Sequence, residues 1–259
     1  MKKNFTRRQV IKGLGLGTAG LVLGQSPFAC SPKTHIITLS FDDGFEKSSI
    51  KTAEIFEKYG LSACINVIAT AHRNDFNRPK EYHQWKAGDF ELWNELKFRG
   101  HEIMPHSWDH QNLAEMPLEQ AKESILKCLD VFNEELDGFD AKESVYNFAY
   151  NASTPEIEEW LGTQVRAFRT GGQALNPWPN SQMKKLTCIS QGPENIDKFL
   201  GDAIDQFLEG PGWWFIFNTH GLDDEGWGPI SSVFLDELLD RLTRIKTLEI
   251  LAAGEALSL

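Results

Sequence analysis

The chain has 259 residues, 24% of them charged and 41% hydrophobic, enough for one α/β domain of the larger kind or two small ones. Its formal net charge of −11 makes nucleic acid and an anionic membrane surface poor partners and is compatible with a neutral or partly cationic substrate. Seventeen Phe and eight Trp can fill a sizeable core and still leave aromatics for a binding surface.

Residues 1–30 read as an export leader. Thr6-Arg7-Arg8-Gln9-Val10-Ile11-Lys12 has the twin-arginine pattern, and the glycine-rich, weakly apolar run from Gly13 to Gly24 is too short to span a membrane. The leader ends at Pro27-Phe28-Ala29-Cys30-Ser31, a small residue before a cysteine, as in a lipoprotein box. Lipidation of Cys30 is expected, with ordinary cleavage near Ala29 as the alternative. Removal of residues 1–29 takes away Lys2, Lys3, Arg7, Arg8 and Lys12, and the formal charge moves from −11 to −16. Cys64, Cys128 and Cys188 show no CxxC spacing and read as buried free thiols.

From residue 35 onward, strand and helix patterns alternate. Strands are predicted at 35–39, 61–68, 101–104, 144–148, 165–169, 213–219 and 248–251. Helices are predicted at 46–59, 89–99, 117–136, from Ser153-Thr154-Pro155-Glu156 onward, at 196–208 and at 231–245. Residues 70–87 and 173–192 lack a clear period and are expected to be loops, the first over one end of the fold. Strands apolar on both faces imply a parallel sheet covered by helices, and seven units imply a β/α barrel in a single domain. No GxGxxG follows the first strand, which argues against a dinucleotide site.

The chemistry collects at strand ends. The first strand runs into Asp42-Asp43-Gly44, and ligands of α/β folds sit at the carboxyl ends of strands. His106-Ser107-Trp108-Asp109-His110 follows the third strand. One acid and two histidines four apart form the ligand set of an open zinc-type site, provided Ser107 to Gln111 makes a helical turn; the second acid is then free to act as a base. His220 closes the most apolar strand and is placed to protonate a leaving group. His35, His72, His83 and His101 are expected to be structural or exposed. Trp108, Trp213 and Trp214 are expected in the core, and Trp227 in the polar loop from Gly221 to Pro229.

Ser40-Phe41-Asp42-Asp43-Gly44, the His-Ser-x-x-His of residues 106–110 and the late Thr219-His220 resemble the NodB-type polysaccharide deacetylases, carbohydrate esterase family four, over residues 34 to 255. The resemblance implies a distorted seven-stranded (β/α) barrel, a divalent metal (usually zinc, sometimes cobalt or iron) and hydrolysis of N- or O-acetyl groups on carbohydrate. It implies Asp42 as base, Asp43, His106 and His110 as metal ligands, and His220 as acid. Tyr150 ends the third motif, and its backbone N–H is implied to hold the oxyanion. The family's Arg-x-Pro-Tyr reads Asn147-Phe148-Ala149-Tyr150 here, so its arginine and proline are absent, as is the Asp-x-x-Asp-Trp fourth motif.

In the family that arginine orients the base. Arg166 and Arg169 lie on the fifth strand, and odd spacing puts them on opposite faces. Arg169, nearer the carboxyl end, is expected to pair with Asp42, and Arg166 to face helices or solvent. Two other readings remain open: a metal-dependent amidohydrolase of small or cyclic amides on the same fold, and a non-catalytic carbohydrate-binding surface protein.

Overall fold

The computed structural model describes residues 33–77 and 84–259. The export leader, Cys30 and His83 lie outside the described residues. In chain order the elements are β1 (His35–Phe41), α1 (Glu46–Glu57), β2 (Cys64–Val67), α2 (Phe90–Phe98), β3 (Glu102–Pro105), α3 (Leu118–Glu135), β4 (Val145–Asn147) and α4 (Pro155–Leu161). There follow β5 (Ala167–Gly171), β6 (Leu175–Asn176), β7 (Lys185–Cys188), α5 (Ile196–Leu208), β8 (Trp213–Thr219), α6 (Ser232–Leu242), β9 (Leu248–Ile250) and α7 (Ala253–Ala256).

The strands form a distorted β/α barrel. β3, β2, β1 and β8 run parallel in that order, and β4, β5 and β7 form a second parallel sheet. The ring is hydrogen-bonded poorly at two seams. Between β3 and β4 the links are side-chain ones, Asn147 Nδ2 to the Pro105 carbonyl at 3.3 Å and the Val145 N–H to Met104 Sδ at 3.4 Å. Between β7 and β8 there is one bridge, where Asn218 donates its N–H to the Ile189 carbonyl at 2.9 Å.

Four sequence expectations are corrected here. Residues 173–192 are not only a loop, because they hold β6 and β7, and β7 is a ring strand. Its Lys185-Leu186-Thr187-Cys188 is too short and too mixed to register as a strand without its partner β5. The strand predicted at 248–251 is β9, which lies outside the ring beside the first half of β1, pairing His35 with Leu248 and Ile37 with Ile250. Proline 117 caps α3 from outside rather than sitting in its first turn. Thr154, not Ser153, caps α4 through its hydroxyl, with Pro155 at the first helical position.

Alternation along the strands divides the interior from the helix-facing layer. Ile37, Leu39 and Phe41 of β1 join Phe215 and Phe217 of β8 in the core under the helices. Ile36, Val145, Ala167, Leu186, Trp214 and Ile216 fill the interior near the strand starts, where α7 plugs the barrel with Ala253, Ala256 and Leu257. Further along each strand the inward side chains become polar: Ser40, Asn66, Asn147, Arg169 and Asn218, all buried. The inner face is therefore apolar only in its lower half. Such a polar layer persists only if it is fully hydrogen-bonded, which is how the barrel mouth is made rigid.

Glu102 opens β3 at the plugged end. Its Oε2 accepts the Gly254 N–H of α7 at 2.7 Å, and its Oε1 receives Cys64 Sγ at 3.4 Å. Burial pushes its pKa up from an ordinary 4.5 to about 7, against the helix N–H groups that lower it. The neutral acid is the form that the fold favours. Its contribution to stability is complete below the ordinary value and is lost as pH rises through about 7. Glu102→Gln keeps the acceptor and cannot ionise. It is expected to raise unfolding free energy at pH 8 by about 1–2 kcal/mol and to leave acid stability nearly unchanged, measured by urea unfolding at pH 4.5 and 8.

Candidate metal centre and catalytic mouth

The first carboxylate pair is shaped by a backbone reversal. Asp42 continues the inward row of β1. Asp43 then takes the left-handed region (φ 75°) and Gly44 follows it (φ 70°). In an extended strand the two carboxylates would diverge; the left-handed step lets both turn to the same mouth. A Cβ on Gly44 would stand 3.0 Å from both Trp93 and Val67, so glycine is required there on two counts.

The histidine loop is also left-handed, at Ser107 (φ 68°) and His110 (φ 59°), and it is not a helical turn as the spacing predicts. Ser107 Oγ accepts the His110 N–H at 2.9 Å, and Ala69 and Thr70 donate their N–H groups to the Ser107 and Trp108 carbonyls at 3.1 Å. The two rings still approach to 5.3 Å between centroids. His106 Nε2 lies 3.4 Å and His110 Nε2 3.3 Å from Asp43 Oδ1. His106 Nδ1 is 3.1 Å from the Asn147 carbonyl, which assigns its proton to Nδ1 and leaves the Nε2 lone pair facing Asp43.

Asp42 is held from both oxygens. Arg169 Nη2 donates to Oδ2 at 2.5 Å, and Asn66 Nδ2 donates to Oδ1 at 2.7 Å. Arg169 Nη1 and Asn66 Nδ2 both reach Ser40 Oγ, at 2.8 and 2.7 Å. Asn147 Nδ2 donates to Asn66 Oδ1 at 2.8 Å, and its carbonyl meets His106 as above. A single chain of contacts thus runs from Arg169 through Asp42, Asn66 and Asn147 to His106. Burial opposes ionisation of Asp42, but the Arg169 guanidinium and then His106 hold its pKa below the ordinary value. Burial likewise opposes Asp43, and His110 and His106 hold it well below.

Arg166 points away from this network, and its guanidinium is only partly solvated. It donates to the main-chain carbonyls of Met183 at 2.8 Å, Leu257 at 3.2 Å and Asn180 at 3.3 Å, tying the chain end to the barrel base. Asn66 and Asn147 carry no role in the sequence reading beyond a missing arginine. The signal was a polar residue at an inward position of Cys64-Ile65-Asn66-Val67, where neighbouring residues are apolar.

His220 leaves β8 half-buried at the same mouth. Burial pushes its pKa down, outweighing the pull of Asp43 and Asp42. Its Nδ1 has no protein partner, and Trp227 stands edge-on to the ring at 5.3 Å. The Glu225 carboxylate pins this loop by accepting the Ser48 N–H at the start of α1, at 2.6 Å. Tyr150 is left-handed (φ 57°), and its exposed ring lies 4.7 Å from that of His110. Beside them a cleft of about 900 Å³ is lined by Thr70, Arg73, Trp108, His110 and Tyr150, with the Arg73 guanidinium 5.2 Å over the Trp108 ring. Trp108 is half-buried and Trp214 fully buried, but Trp213 is exposed, because β8 begins outside the helix cover. His101 is structural: its Nδ1 accepts the Ala63 N–H and its Nε2 faces Glu57, both at 3.1 Å. Cys64, Cys128 and Cys188 are free and buried.

The donor set of Asp43, His106 and His110 fits a zinc-type ion. One ligand atom from each lies within 4.8 Å of the others, and both Asp43 Oδ1 and His106 Nε2 are buried with no hydrogen-bond partner. Atoms bonded tetrahedrally at about 2.0–2.1 Å to one ion stand about 3.3 Å apart, close to the separations from Asp43.

A family model described as polysaccharide deacetylase matches residues 30–187, which include Asp42, Asp43, His106 and His110 but not His220. No curated protein matches the chain. Among solved structures, the chain is similar to a peptidoglycan deacetylase from Bacillus subtilis, at 16% identity and TM-score 0.55 over 87% of this chain and 91% of that one. It is similar to a family 4 acetyl xylan esterase from Clostridium thermocellum solved with cobalt, at 18% identity and TM-score 0.57 over 86% and 90%. A xylanase esterase domain from the hindgut metagenome of Trinervitermes trinervoides aligns at 14% identity and TM-score 0.58 over 87% and 91%.

Because Arg169 and Asp42 are both buried, loss of one leaves the other uncompensated. Arg169→Met is expected to destabilise the protein by about 3–5 kcal/mol and Asn66→Ala by about 1–3 kcal/mol. Both contact Asp42 and Ser40, so the double variant is expected to cost less than the sum, measured by urea unfolding of all four proteins.

Proposed function

Because the chain belongs to the polysaccharide deacetylase family, we propose that it is a metal-dependent hydrolase that removes N- or O-acetyl groups from carbohydrate polymers or oligomers. The observation that carries this reading is the tethered Asp42 beside the unpartnered donor set of Asp43, His106 and His110, at the edge of an open cleft. The cleft is open and lined by Arg73, Trp108, Gln111, Asn112 and Tyr150, the mix of polar and aromatic groups that meets a sugar chain. The similar structures include a peptidoglycan deacetylase and an acetyl xylan esterase, so amides and esters are both in scope.

Asp43, His106 and His110 would hold the ion. When bound, a divalent ion of the zinc type polarises the acetyl carbonyl and lowers the pKa of a bound water to about 7. Asp42 is the general base. Its Oδ2 is the oxygen nearest the donor set, 3.7 Å from His106 Nε2, and it accepts the proton of the attacking water. Arg169 and Asn66 keep that carboxylate in one rotamer. The Tyr150 backbone N–H holds charge developing on the carbonyl oxygen. His220 gives a proton to the departing sugar nitrogen or oxygen as the bond to the acetyl carbon breaks. Acetate and the free sugar amine or hydroxyl are the products. The twin-arginine pattern of residues 6–12 and Cys30 support export to the periplasm or cell surface and a lipid anchor at Cys30.

Acetate release from acetylated xylan, chitin oligomers and peptidoglycan, with and without chelator, tests the activity; no release from any of them with metal supplied would overturn it. Asp42→Asn is expected to retain metal and lose about a hundredfold to ten-thousandfold in turnover. His110→Ala is expected to lose metal as well as activity, read by elemental analysis after dialysis. Equal metal loss in both variants would reverse the assigned roles. Cys30→Ser is expected to move the protein from the membrane to the soluble fraction.

A further inference from the structure

Several large apolar side chains are exposed at the end of the barrel opposite the donor set. Phe98 ends α2 and is 92% exposed; Trp213 opens β8 at 48%, and Trp178 follows β6 at 40%. β6 runs antiparallel to β8, so Trp178 continues toward the end where Trp213 sits. Leu259, after the α7 plug, is 64% exposed at that end too. Large aromatics with a polar tip or edge in water are enriched where one side is apolar and the other wet.

Both signs of charge are interspersed there. Lys33, Lys97, Lys142 and Lys184 each donate to a main-chain carbonyl, of Leu248, Asp137, Thr163 and Arg166, and none of the four forms an ion pair among the described residues. Asp137, Asp140, Glu143, Glu209 and Glu255 share the end. Contact with a bilayer there would be carried by the aromatic side chains and not by net charge.

The chain also leaves the barrel here. Trp213 donates its N–H to the Thr34 carbonyl at 2.9 Å, so β1 starts beside that tryptophan. Cys30 precedes Thr34 by four residues, and four residues reach at most about 14 Å. A lipid on Cys30 would hold this end, and no other, against a bilayer.

We propose that the N-terminal end of the barrel rests on the lipid bilayer through Phe98, Trp178 and Trp213, with the donor set directed away from the membrane. The inference rests on the anchoring reading above. Among the described residues no helix is long and apolar enough to cross a membrane, so the contact is interfacial. The seven residues of β1 span about 20 Å along the strand, which at the usual barrel tilt sets the mouth about 16 Å above the start of β1. The enzyme would take its acetyl groups from polymer on the solvent side, not from sugar attached to lipid in the same leaflet.

The test uses the full lipidated protein in phosphatidylethanolamine–phosphatidylglycerol vesicles that carry a brominated acyl chain, read by tryptophan fluorescence. Wild type is expected to co-sediment with the vesicles and to be quenched. Trp178→Phe with Trp213→Phe is expected to co-sediment equally and lose most of the quenching. Adding Phe98→Trp to that double variant is expected to restore it, and Trp227→Phe alone, at the mouth, to change nothing. Co-sedimentation without quenching, or quenching lost to Trp227→Phe, would overturn the orientation while leaving the anchor standing. Failure of wild type to co-sediment would overturn both.

Discussion

The buried ion pair between Arg169 and Asp42 is the constraint on which the barrel mouth depends. A carboxylate at the end of a dry strand is costly unless its charge is matched and its lone pairs are filled. Arg169 supplies the charge from across the barrel, and Asn66 supplies the second donor. Ser40 accepts from both, so the arginine and the asparagine are also fixed relative to each other. Apart from Arg169 Nε, which has no partner, the polar layer is hydrogen-bonded within itself, which is why it can replace the apolar filling that the lower barrel uses.

That layer also joins two parts of the proposed chemistry. Asn147 stands where the family's third motif has arginine, and it cannot supply a charge. It supplies geometry instead: its amide braces Asn66, and its carbonyl fixes the tautomer and orientation of His106. The proposed base and one of the proposed metal ligands are thereby oriented by one network of neutral amides around one cation. The cation that reaches the carboxylate comes from inside the barrel on β5, the strand beside the one that carries Asn147.

Backbone strain gathers where side chains converge. Asp43, Ser107, His110 and Tyr150 are left-handed without being glycine, and each follows the end of a strand in the ring. Such conformations persist when surrounding contacts over-determine them. For the histidine loop those contacts are the Ser107 hydroxyl on the His110 amide and the one loop after β2, whose Ala69 and Thr70 N–H groups bond to the Ser107 and Trp108 carbonyls. The opposite end of the barrel is sealed by α7 and held by the carbonyl contacts of Arg166, and it carries one left-handed residue of its own, Trp213 (φ 119°).

Much of this was legible in the sequence because it depends on local order. Alternating apolar runs and helical stripes give the β/α succession, and helix α5 occupies the very residues its pattern predicts. The odd spacing of Arg166 and Arg169 decides which one can turn inward, since strand side chains alternate. What the sequence could not carry is whatever depends on a partner distant in the chain. β7 is a strand because β5 lies beside it, and β9 leaves the ring because β2 and β8 already flank the working half of β1. Spacing alone made a helical turn of residues 107–111, whereas contacts from residues 69 and 70 hold them in a left-handed loop. Asn66 and Asn147 look like ordinary polar residues until the barrel closes and places them between a base and a histidine. Periodicity records what each segment does by itself; the site consists of what the segments do to one another, and only folding brings those groups within hydrogen-bonding distance.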